Sequence, residues 1–326
     1  MSVSTRPVLV TGAAGFIGRR VVARLCLAGQ PVRALVLPEE TLPNAWAESG
    51  VEVVRGDIGD AACVIEAAHD VRSAVHLAAV VADWGEEALH TRVTVNGTRH
   101  LLSALPAEAR MVLVSSVVVY GEALRTSECD EDHPMGEPLG AYSRSKQAQE
   151  CLARAAMPTR EVVIVRPGNV YGVGSGPWVR DLITQLRLGA PALIGDGSGN
   201  AGLCHVENLV DLLEAARTQD AAIGRTYNGN DGGTITWRRY VTDLALAAGT
   251  PPPRSVSPGL AALGARLAQG AFKLLGKDGR PPLTREALNL VASNHRVPIA
   301  RARQELGYAP RVTYDDALAE IAASLR

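Results

Sequence analysis

The chain has 326 residues, of which 47% are hydrophobic and 21% are charged, and its formal net charge at neutral pH is −1. That balance is typical of a globular protein with a sizeable core. It excludes a strongly basic surface, and aromatic residues make up only 4% of the chain, so we expect no nucleic-acid partner.

The cysteines and the apolar runs narrow the class further. The five cysteines are widely spaced and form no CxxC pair. We therefore expect reduced thiols in a cytoplasmic protein, with no disulfide framework and no metal site. No apolar run reaches the roughly 18 residues that a spanning helix needs. The first residues lead directly into a strand pattern, without a signal peptide.

The first half of the chain alternates between strand and helix patterns. In chain order it predicts a strand at 8–11, a helix at 16–28, strands at 32–37 and 51–55, a helix at 60–68, a strand at 74–77, a helix at 87–104, a strand at 111–115, a helix at 140–156 and a strand at 162–166. Nearly all-apolar strands separated by helices predict an α/β fold, a Rossmann-like doubly wound parallel sheet covered on both faces.

The second half changes character. Glycine and proline cluster at 172–177, 189–199, 229–233 and 251–258, with helical patterns between them and only short strands. We predict a dinucleotide-binding domain over residues 1–169 and a smaller, mostly helical substrate-binding region over 170–326, some strands of which can rejoin the main sheet. Ligands of open α/β sheets bind at the carboxyl ends of the strands, so this region should shape the substrate pocket.

Three glycines follow the first predicted strand at intervals of three residues. They are Gly12, Gly15 and Gly18, and a helical pattern begins among them. Glycine permits a turn that a side chain would obstruct and lets backbone N–H groups approach a ligand. The helix N-terminus adds unpaired amides and a partial positive charge, which suit a pyrophosphate. The motif favours a dinucleotide site over a tight strand–helix turn without a ligand.

Tyr142 and Lys146 lie four residues apart at the start of a predicted helix, so both side chains share one face. A free phenol, with a pKa of about 10, is a poor base at neutral pH. A lysine one turn away favours the phenolate, so Tyr142 can exchange a proton with a substrate hydroxyl. Ser115 or Ser116, at a neighbouring strand end, can hydrogen-bond that oxygen. The plain alternative is an exposed tyrosine beside a solvated lysine.

Two other strand ends carry polar side chains. Asp57 follows the strand at 51–55, where its carboxylate either accepts from an adenine amino group or is a plain turn acid. His76 lies in the strand at 74–77 and precedes small residues that suit the floor of a cofactor site. We expect His76 itself to be a hydrogen-bonded core histidine and not a catalyst.

Taken in order, these motifs resemble the extended short-chain dehydrogenase/reductases of the NAD-dependent epimerase/dehydratase group, over nearly the whole chain. The resemblance also covers residues 96–98 and 166–172. It implies a nicotinamide cofactor and a catalytic set of Ser116, Tyr142 and Lys146. Ser116 is identified by counting back four residues from Tyr120, with Ser115 as the alternative.

The resemblance also implies binding residues. Those expected to contact the cofactor are Gly12, Gly15, Phe16, Ile17, Gly18, Asp57, Ile58, Leu77, Ala78, Ala79, Tyr142, Lys146, Pro167 and Val170. Those expected to contact the substrate are Val81, Ser116, Val117, Asn169 and His205. A small-molecule substrate and a homodimer are expected as well.

The chain departs from the pattern of this group at two places. Val36 and Leu37 stand where members preferring NAD place an acid and members preferring NADP place an arginine, so the choice is open and leans to NAD. Ala201 stands where nucleotide-sugar epimerases commonly have an arginine that grips the diphosphate. Asn169, in contrast, matches an asparagine of those enzymes.

The C-terminal third resembles the 3β-hydroxysteroid dehydrogenase-like branch, at 227–229, 236–237, 251–253, 279–285 and 302–310. Leu260, Leu263, Leu267, Ala271 and Leu274 repeat there at helical spacing, which favours core packing over an apolar lid. The predicted function is an NAD(P)-dependent oxidoreductase that interconverts a secondary alcohol and a ketone on a bulky, mostly apolar substrate. A nucleotide-sugar 4-epimerase or dehydratase with tightly bound NAD is the alternative, and a non-catalytic NAD(P)-binding protein is the second alternative.

Overall fold

A computed structural model describes residues 6–275 and 279–326. Its strands, in chain order, are β1 Val8–Thr11, β2 Val32–Val36, β3 Glu52–Arg55, β4 Ser73–His76, β5 Arg110–Val114, β6 Val162–Pro167, β7 Asn169–Tyr171, β8 Pro191–Ile194, β9 Leu203–His205, β10 Thr226–Gly229 and β11 Arg254–Val256. The six strands predicted in the first half are all present, each within one residue of its expected ends.

The α-helices lie between these strands and in the C-terminal region. They are α1 Phe16–Leu27, α2 Ala45–Glu48, α3 Ala61–Ala68, α4 Glu87–His90, α5 Gly97–Ala104, α6 Ala123–Thr126, α7 Ala141–Ala156, α8 Asp181–Arg187, α9 Val206–Thr218, α10 Trp237–Ala247, α11 Pro258–Leu274, α12 Arg285–Val291, α13 Ala300–Leu306 and α14 Tyr314–Ser324. The helix predicted at 87–104 consists of α4, a wide π-helical segment at Thr91–Asn96, and α5.

Seven parallel strands form the main sheet in the order β3, β2, β1, β4, β5, β6, β10. The order reverses direction between β1 and β4, which pair in register from Val8 with Ser73 to Thr11 with His76. A crevice forms at such a switch point, outside the carboxyl ends of the strands. β10 comes from the second half of the chain and pairs with β6, so part of that half rejoins the sheet.

Burial on both faces explains why the central strands of the sheet are mostly apolar. In β1, Val8 and Val10 pack with α1 and α9 on one side, whereas Leu9 packs with α3 and α5 on the other. All three side chains are fully buried. A strand covered on both faces has no position for a solvated residue, and this produces the continuous apolar runs seen in the sequence.

The C-terminal region is helix-rich and adds two short parallel pairs, β7 with β9 and β8 with β11. The prediction that the leucine stripe of α11 packs in the core is wrong. Leu260 is 64% exposed and Leu267 65% exposed, whereas Ala261 and Ala265 are buried and pack against Leu288. Small residues let α11 lie close to α12, and the leucines then face outward. Within residues 6–275 and 279–326, no helix has the length and hydropathy to cross a membrane.

Candidate active site

The turn after β1 leaves no room for a side chain at Gly12 or Gly18. Gly12 has a φ of +64°, and a Cβ there would lie 3.0 Å from the Ala78 nitrogen. A Cβ on Gly18 would lie 2.2 Å from the Gly12 oxygen. Helix α1 begins just beyond Gly15 with no side-chain cap and no acidic residue in its first turn. Its first amides are therefore available to an anion, and the turn fits the pyrophosphate of a dinucleotide.

The predicted catalytic side chains meet at the carboxyl edge of β5. The Ser116 and Tyr142 hydroxyls are hydrogen-bonded to each other. Ser116 also accepts from the Val118 nitrogen at 3.3 Å, which fixes its rotamer. Ser115 is buried, and its hydroxyl has no hydrogen-bond partner among the described residues. Of the two candidate serines, Ser116 is the one that reaches Tyr142.

Lys146 is 3% exposed and lies one turn further along α7. Its ammonium donates to the Val114 carbonyl and to the Gln149 side-chain oxygen, both at 2.9 Å. Burial lowers the pKa of Lys146 to about 8, although the nearby Glu150 carboxylate raises it. The lysine is therefore close to half protonated slightly above neutral pH.

Tyr142 behaves differently from the sequence-based expectation. Burial raises its pKa to about 12, the bond with Ser116 lowers it, and the charge of Glu286 raises it further. Lys146 is not among these influences, and its ammonium donates to Val114 and Gln149. Without cofactor, Tyr142 is a neutral phenol with a proton to give, as a general acid requires.

A carboxylate from the C-terminal region caps the catalytic helix. Glu286, at the start of α12, accepts a hydrogen bond from the Ser143 nitrogen at 2.8 Å. Ser143 in turn accepts from the Gly140 nitrogen at 3.1 Å. Burial raises the pKa of Glu286 to about 7, against the lowering by Ser143. This contact joins residues 143 positions apart, and no sequence pattern signals it.

The predicted adenine-side residues lie at the edge of β3. Asp57 accepts from the Gly59 nitrogen at 2.7 Å and from Arg92 at 2.6 Å. Desolvation raises its pKa, but the bonds from Arg92 and Gly59 outweigh this and leave the pKa below its usual value. Ile58 is buried against Gly97. A contact between Asp57 and adenine stays a prediction.

The remaining predicted cofactor residues lie along the same edge. Phe16 and Ile17 form the first turn of α1, and Leu77, Ala78 and Ala79 follow β4 directly. The Leu77 and Ala78 nitrogens both donate to the Thr11 hydroxyl at 3.2 Å, which ties this segment to the glycine turn. Pro167 ends β6, and Val170 lies in β7, which begins two residues later.

The predicted substrate residues are less uniform. Val81 is 67% exposed on the loop after β4, and Val117 is buried in the turn after Ser116. Asn169 donates its side-chain amide to the Ala201 carbonyl at 2.6 Å. His205 is buried edge-on against Tyr171, and burial lowers its pKa to about 4. Direct substrate contacts of these residues stay predictions.

The sequence profile described as "NAD dependent epimerase/dehydratase family" matches residues 8–228. The chain belongs to this family. A relative from Stigmatella aurantiaca, 4-hydroxy-2-methyl-3-oxo-4-farnesyl-3,4-dihydroquinoline-1-oxide ketoreductase, is 29% identical over 95% of this chain and 93% of its own length. A 3 beta-hydroxysteroid dehydrogenase/Delta 5→4-isomerase from Mycobacterium tuberculosis is 29% identical over 96% and 88%.

A solved structure from the family has the same fold. It is a double mutant of the dTDP-glucose 4,6-dehydratase DesIV from Streptomyces venezuelae, with NAD and a second ligand bound. It is 26% identical, covers 97% of this chain and 96% of that chain, and gives a TM-score of 0.75. These matches confirm an NAD(P)-dependent enzyme of the extended short-chain type, with relatives that include the 3β-hydroxysteroid dehydrogenase-like branch. NAD is the cofactor of this epimerase/dehydratase family.

Two contacts next to the candidate active site were not predicted from the sequence. Trp84, on the loop after β4, packs edge-on against Phe272 of α11 with ring centroids 6.4 Å apart. Asp83, beside it, accepts from Arg280 at 2.6 and 2.7 Å and from Thr284 at 2.5 Å. Together they fasten the β4 loop to the C-terminal region, over the edge where the catalytic residues lie.

Proposed function

We propose that this protein catalyses the reversible reduction of a ketone to a secondary alcohol on a bulky, mostly apolar substrate. The observation that carries the proposal is the bonded pair of Ser116 and Tyr142 beside buried Lys146. When bound, the nicotinamide supplies or accepts the hydride. The Ser116 hydroxyl orients the substrate oxygen, and Tyr142 gives it the phenolic proton as negative charge develops.

The apolar side chains near the candidate active site support a bulky, hydrophobic substrate. Trp84 and Phe272 pair at the β4 loop, and exposed Val81 lies on that loop. Ala201, which replaces the arginine expected of a diphosphate clamp, is fully buried and presents no charge. Relatives that act on ketone and steroid substrates, by their names, fit the same interpretation.

Nucleotide-sugar epimerisation or dehydration is the second candidate, and Asn169 together with the DesIV likeness favours it. The amide of Asn169 is bonded to the Ala201 carbonyl, which leaves it less free to hold a sugar. The non-catalytic alternative requires an idle Ser116, Tyr142 and Lys146, and their mutual geometry argues against it. A cytoplasmic homodimer and the domain boundary at residue 169 stay predictions.

The two enzymatic candidates differ in cofactor stoichiometry. A ketoreductase consumes one NADH for each substrate, whereas an epimerase or dehydratase returns its cofactor to the starting state. We expect net loss of NADH absorbance with hydroxysteroid ketones or 2-alkyl-3-oxoacyl compounds, and none with UDP- or dTDP-sugars. Conversion of a sugar nucleotide without a net NADH signal would overturn the proposal. If a fluorescence titration shows no binding of NADH or NADPH, both enzymatic candidates are wrong.

The basic residues near Leu37 bear on the choice between NAD and NADP. Arg33 is directed away, to the Ala67 carbonyl at 3.1 Å and the Glu52 carboxylate at 2.8 Å. Arg55 donates to the Pro38 carbonyl at 2.7 Å, and Glu40 accepts from the Leu37 nitrogen at 2.9 Å. The loop therefore holds the Glu40 carboxylate beside the Leu37 amide, and both arginines are engaged with protein oxygens. A 2′-phosphate placed beside Leu37 would meet that negative charge.

We expect kcat/KM with NADH to exceed that with NADPH by about tenfold or more, the effect of one unfavourable charged contact. Glu40→Gln should narrow this ratio, because it removes the charge and keeps the side-chain shape. Glu39→Gln, at the adjacent exposed carboxylate, is the matched control and should leave the ratio nearly unchanged. A hundredfold preference for NADPH would contradict the assignment.

A further inference from the structure

A chain of buried polar side chains runs from the glycine turn to the catalytic lysine. The Thr11 hydroxyl and His76 Nδ1 lie 2.7 Å apart, and His76 Nε2 lies 2.8 Å from the Thr98 hydroxyl. The Gln149 side-chain nitrogen donates to Thr98 at 2.8 Å, and its oxygen accepts from Lys146 at 2.9 Å. The chain thus connects β1, β4, α5 and α7.

Proton counting sets the direction of each bond. The Thr98 hydroxyl donates to the Thr94 carbonyl at 2.7 Å, so its oxygen accepts from Gln149 and from His76 Nε2. Burial, and then the charge of Lys146, lowers the pKa of His76 to about 3, so the ring is neutral. Its Nδ1 is therefore an acceptor, and Thr11 donates to it.

This proton order fixes the orientation of the Gln149 amide. Gln149 is fully buried, and rotating the amide by half a turn would place its NH₂ against the Lys146 ammonium. The same rotation would place its oxygen against a Thr98 oxygen that has no proton left to give. A buried network of mutually directed hydrogen bonds is rigid and tolerates few alternatives.

We propose that Gln149 is a positioning residue, which holds the Lys146 ammonium in place and couples it to the glycine turn through Thr98, His76 and Thr11. The inference rests on the proposed role of Lys146 in binding the cofactor. Gln149 and the Val114 carbonyl take two of the three ammonium N–H groups. The third is then directed by the other two, which prepares it for a ligand hydroxyl.

The other titratable groups near Lys146 are either paired with another side chain or neutral. Glu150, which follows Gln149 in α7, makes a bidentate ion pair with Arg166 at 2.9 and 2.8 Å. His76 is neutral, and Tyr142 is a protonated phenol. Gln149 is consequently the neutral neighbour whose replacement by a charged or an apolar residue changes the field at Lys146 most directly.

The test measures the NADH dissociation constant by calorimetry as a function of pH, independently of turnover. With Lys146 titrating at about 8, binding should weaken as the pH rises through that value. Gln149→Leu removes an acceptor from the ammonium, so we expect NADH affinity to fall about tenfold. We also expect the pH midpoint, at which half of this pH-dependent loss of affinity has occurred, to move down by about half a pH unit or more. Gln149→Glu places a carboxylate there, so the midpoint should move up.

Gln147→Leu is the matched control. Gln147 lies on the same helix and donates its amide to the Val119 and Gly136 carbonyls at 2.9 and 2.7 Å, away from Lys146. It should lower thermal stability without moving the midpoint. Midpoints of both Gln149 variants equal to that of the unchanged protein, or displaced in the same direction, would overturn the positioning role.

Lys146→Met separates this inference from the proposed function. If Lys146→Met abolishes the pH dependence of NADH binding but Gln149→Leu leaves it unchanged, only the positioning role is overturned. If Lys146→Met retains the affinity and the midpoint, the cofactor role of Lys146 is wrong, and the positioning role is overturned with it.

Discussion

Tyr142→Phe should reduce kcat by about 10²–10⁴-fold, the usual contribution of a positioned general acid or base. The substitution removes the phenolic oxygen that bonds Ser116 and retains the ring. NADH affinity should change little, because Lys146 is held by Val114 and Gln149 and not by the phenol. Single-turnover rates and calorimetric NADH binding, measured on the same preparation, distinguish the two effects.

Tyr240→Phe is the control for this substitution. Tyr240 is fully buried in α10 and donates its hydroxyl to the Trp178 carbonyl at 2.6 Å, away from the catalytic residues. It should cost about 1 kcal/mol of stability, the net value of one hydrogen bond, with kcat nearly unchanged. Full activity in Tyr142→Phe would show that another group transfers the proton.

The pH dependence of the reductive reaction follows from the same groups. Burial raises the pKa of Tyr142 to about 12, so the phenol stays protonated across the neutral range. The falling limb should therefore come from Lys146, whose pKa burial lowers to about 8. The rate of reduction should be sustained at neutral pH and decline as the pH rises through the pKa of Lys146.

Local patterns predicted the parts of the site that are close in sequence. Gly12, Gly15 and Gly18 form one turn, and Tyr142 and Lys146 form one helical face, so spacing alone constrains them. The apolar strands likewise require burial on both faces. These local patterns predicted the parallel sheet and placed the cofactor site at the carboxyl ends of its strands. The sheet is present, and the family match agrees with the prediction.

Contacts between distant segments were not predictable in the same way. Gln149 looks like an ordinary helix residue until folding places Thr98 and Lys146 against it. Glu286 reaches the catalytic helix from the far end of the chain. The leucines of α11 have core-like spacing, but alanines occupy the inner face instead. Periodicity identifies a stripe on a helix, and only the packing partner decides which stripe is buried.

Arg166 lies at the centre of a second buried network, which contains an ion pair. It is 1% exposed, and its guanidinium forms two parallel bonds to Glu150 at 2.9 and 2.8 Å. It also donates to the Tyr120 hydroxyl at 2.9 Å and stacks over that ring at 4.8 Å. Tyr120 in turn donates to Asn228 of β10 at 2.7 Å. The network fastens the catalytic helix α7 to β6 and β10.

Glu150→Gln should lower the free energy of unfolding by about 3–5 kcal/mol, because removing one partner leaves the Arg166 charge buried without compensation. The substitution preserves size, so loss of packing contributes little. Urea unfolding at neutral pH measures the change. The pKa of Lys146 should also fall, because Glu150 is the group that raises it.

The double variant Glu150→Leu with Arg166→Met tests the cause of that loss. It removes both charges and keeps apolar volume, and replacing a whole buried pair in this way is often neutral or stabilising. We expect it to regain a large part of the stability lost in Glu150→Gln. A Glu150→Gln variant within about 1 kcal/mol of the unchanged protein would show that water or another group compensates Arg166, since an unpaired buried charge costs more than that.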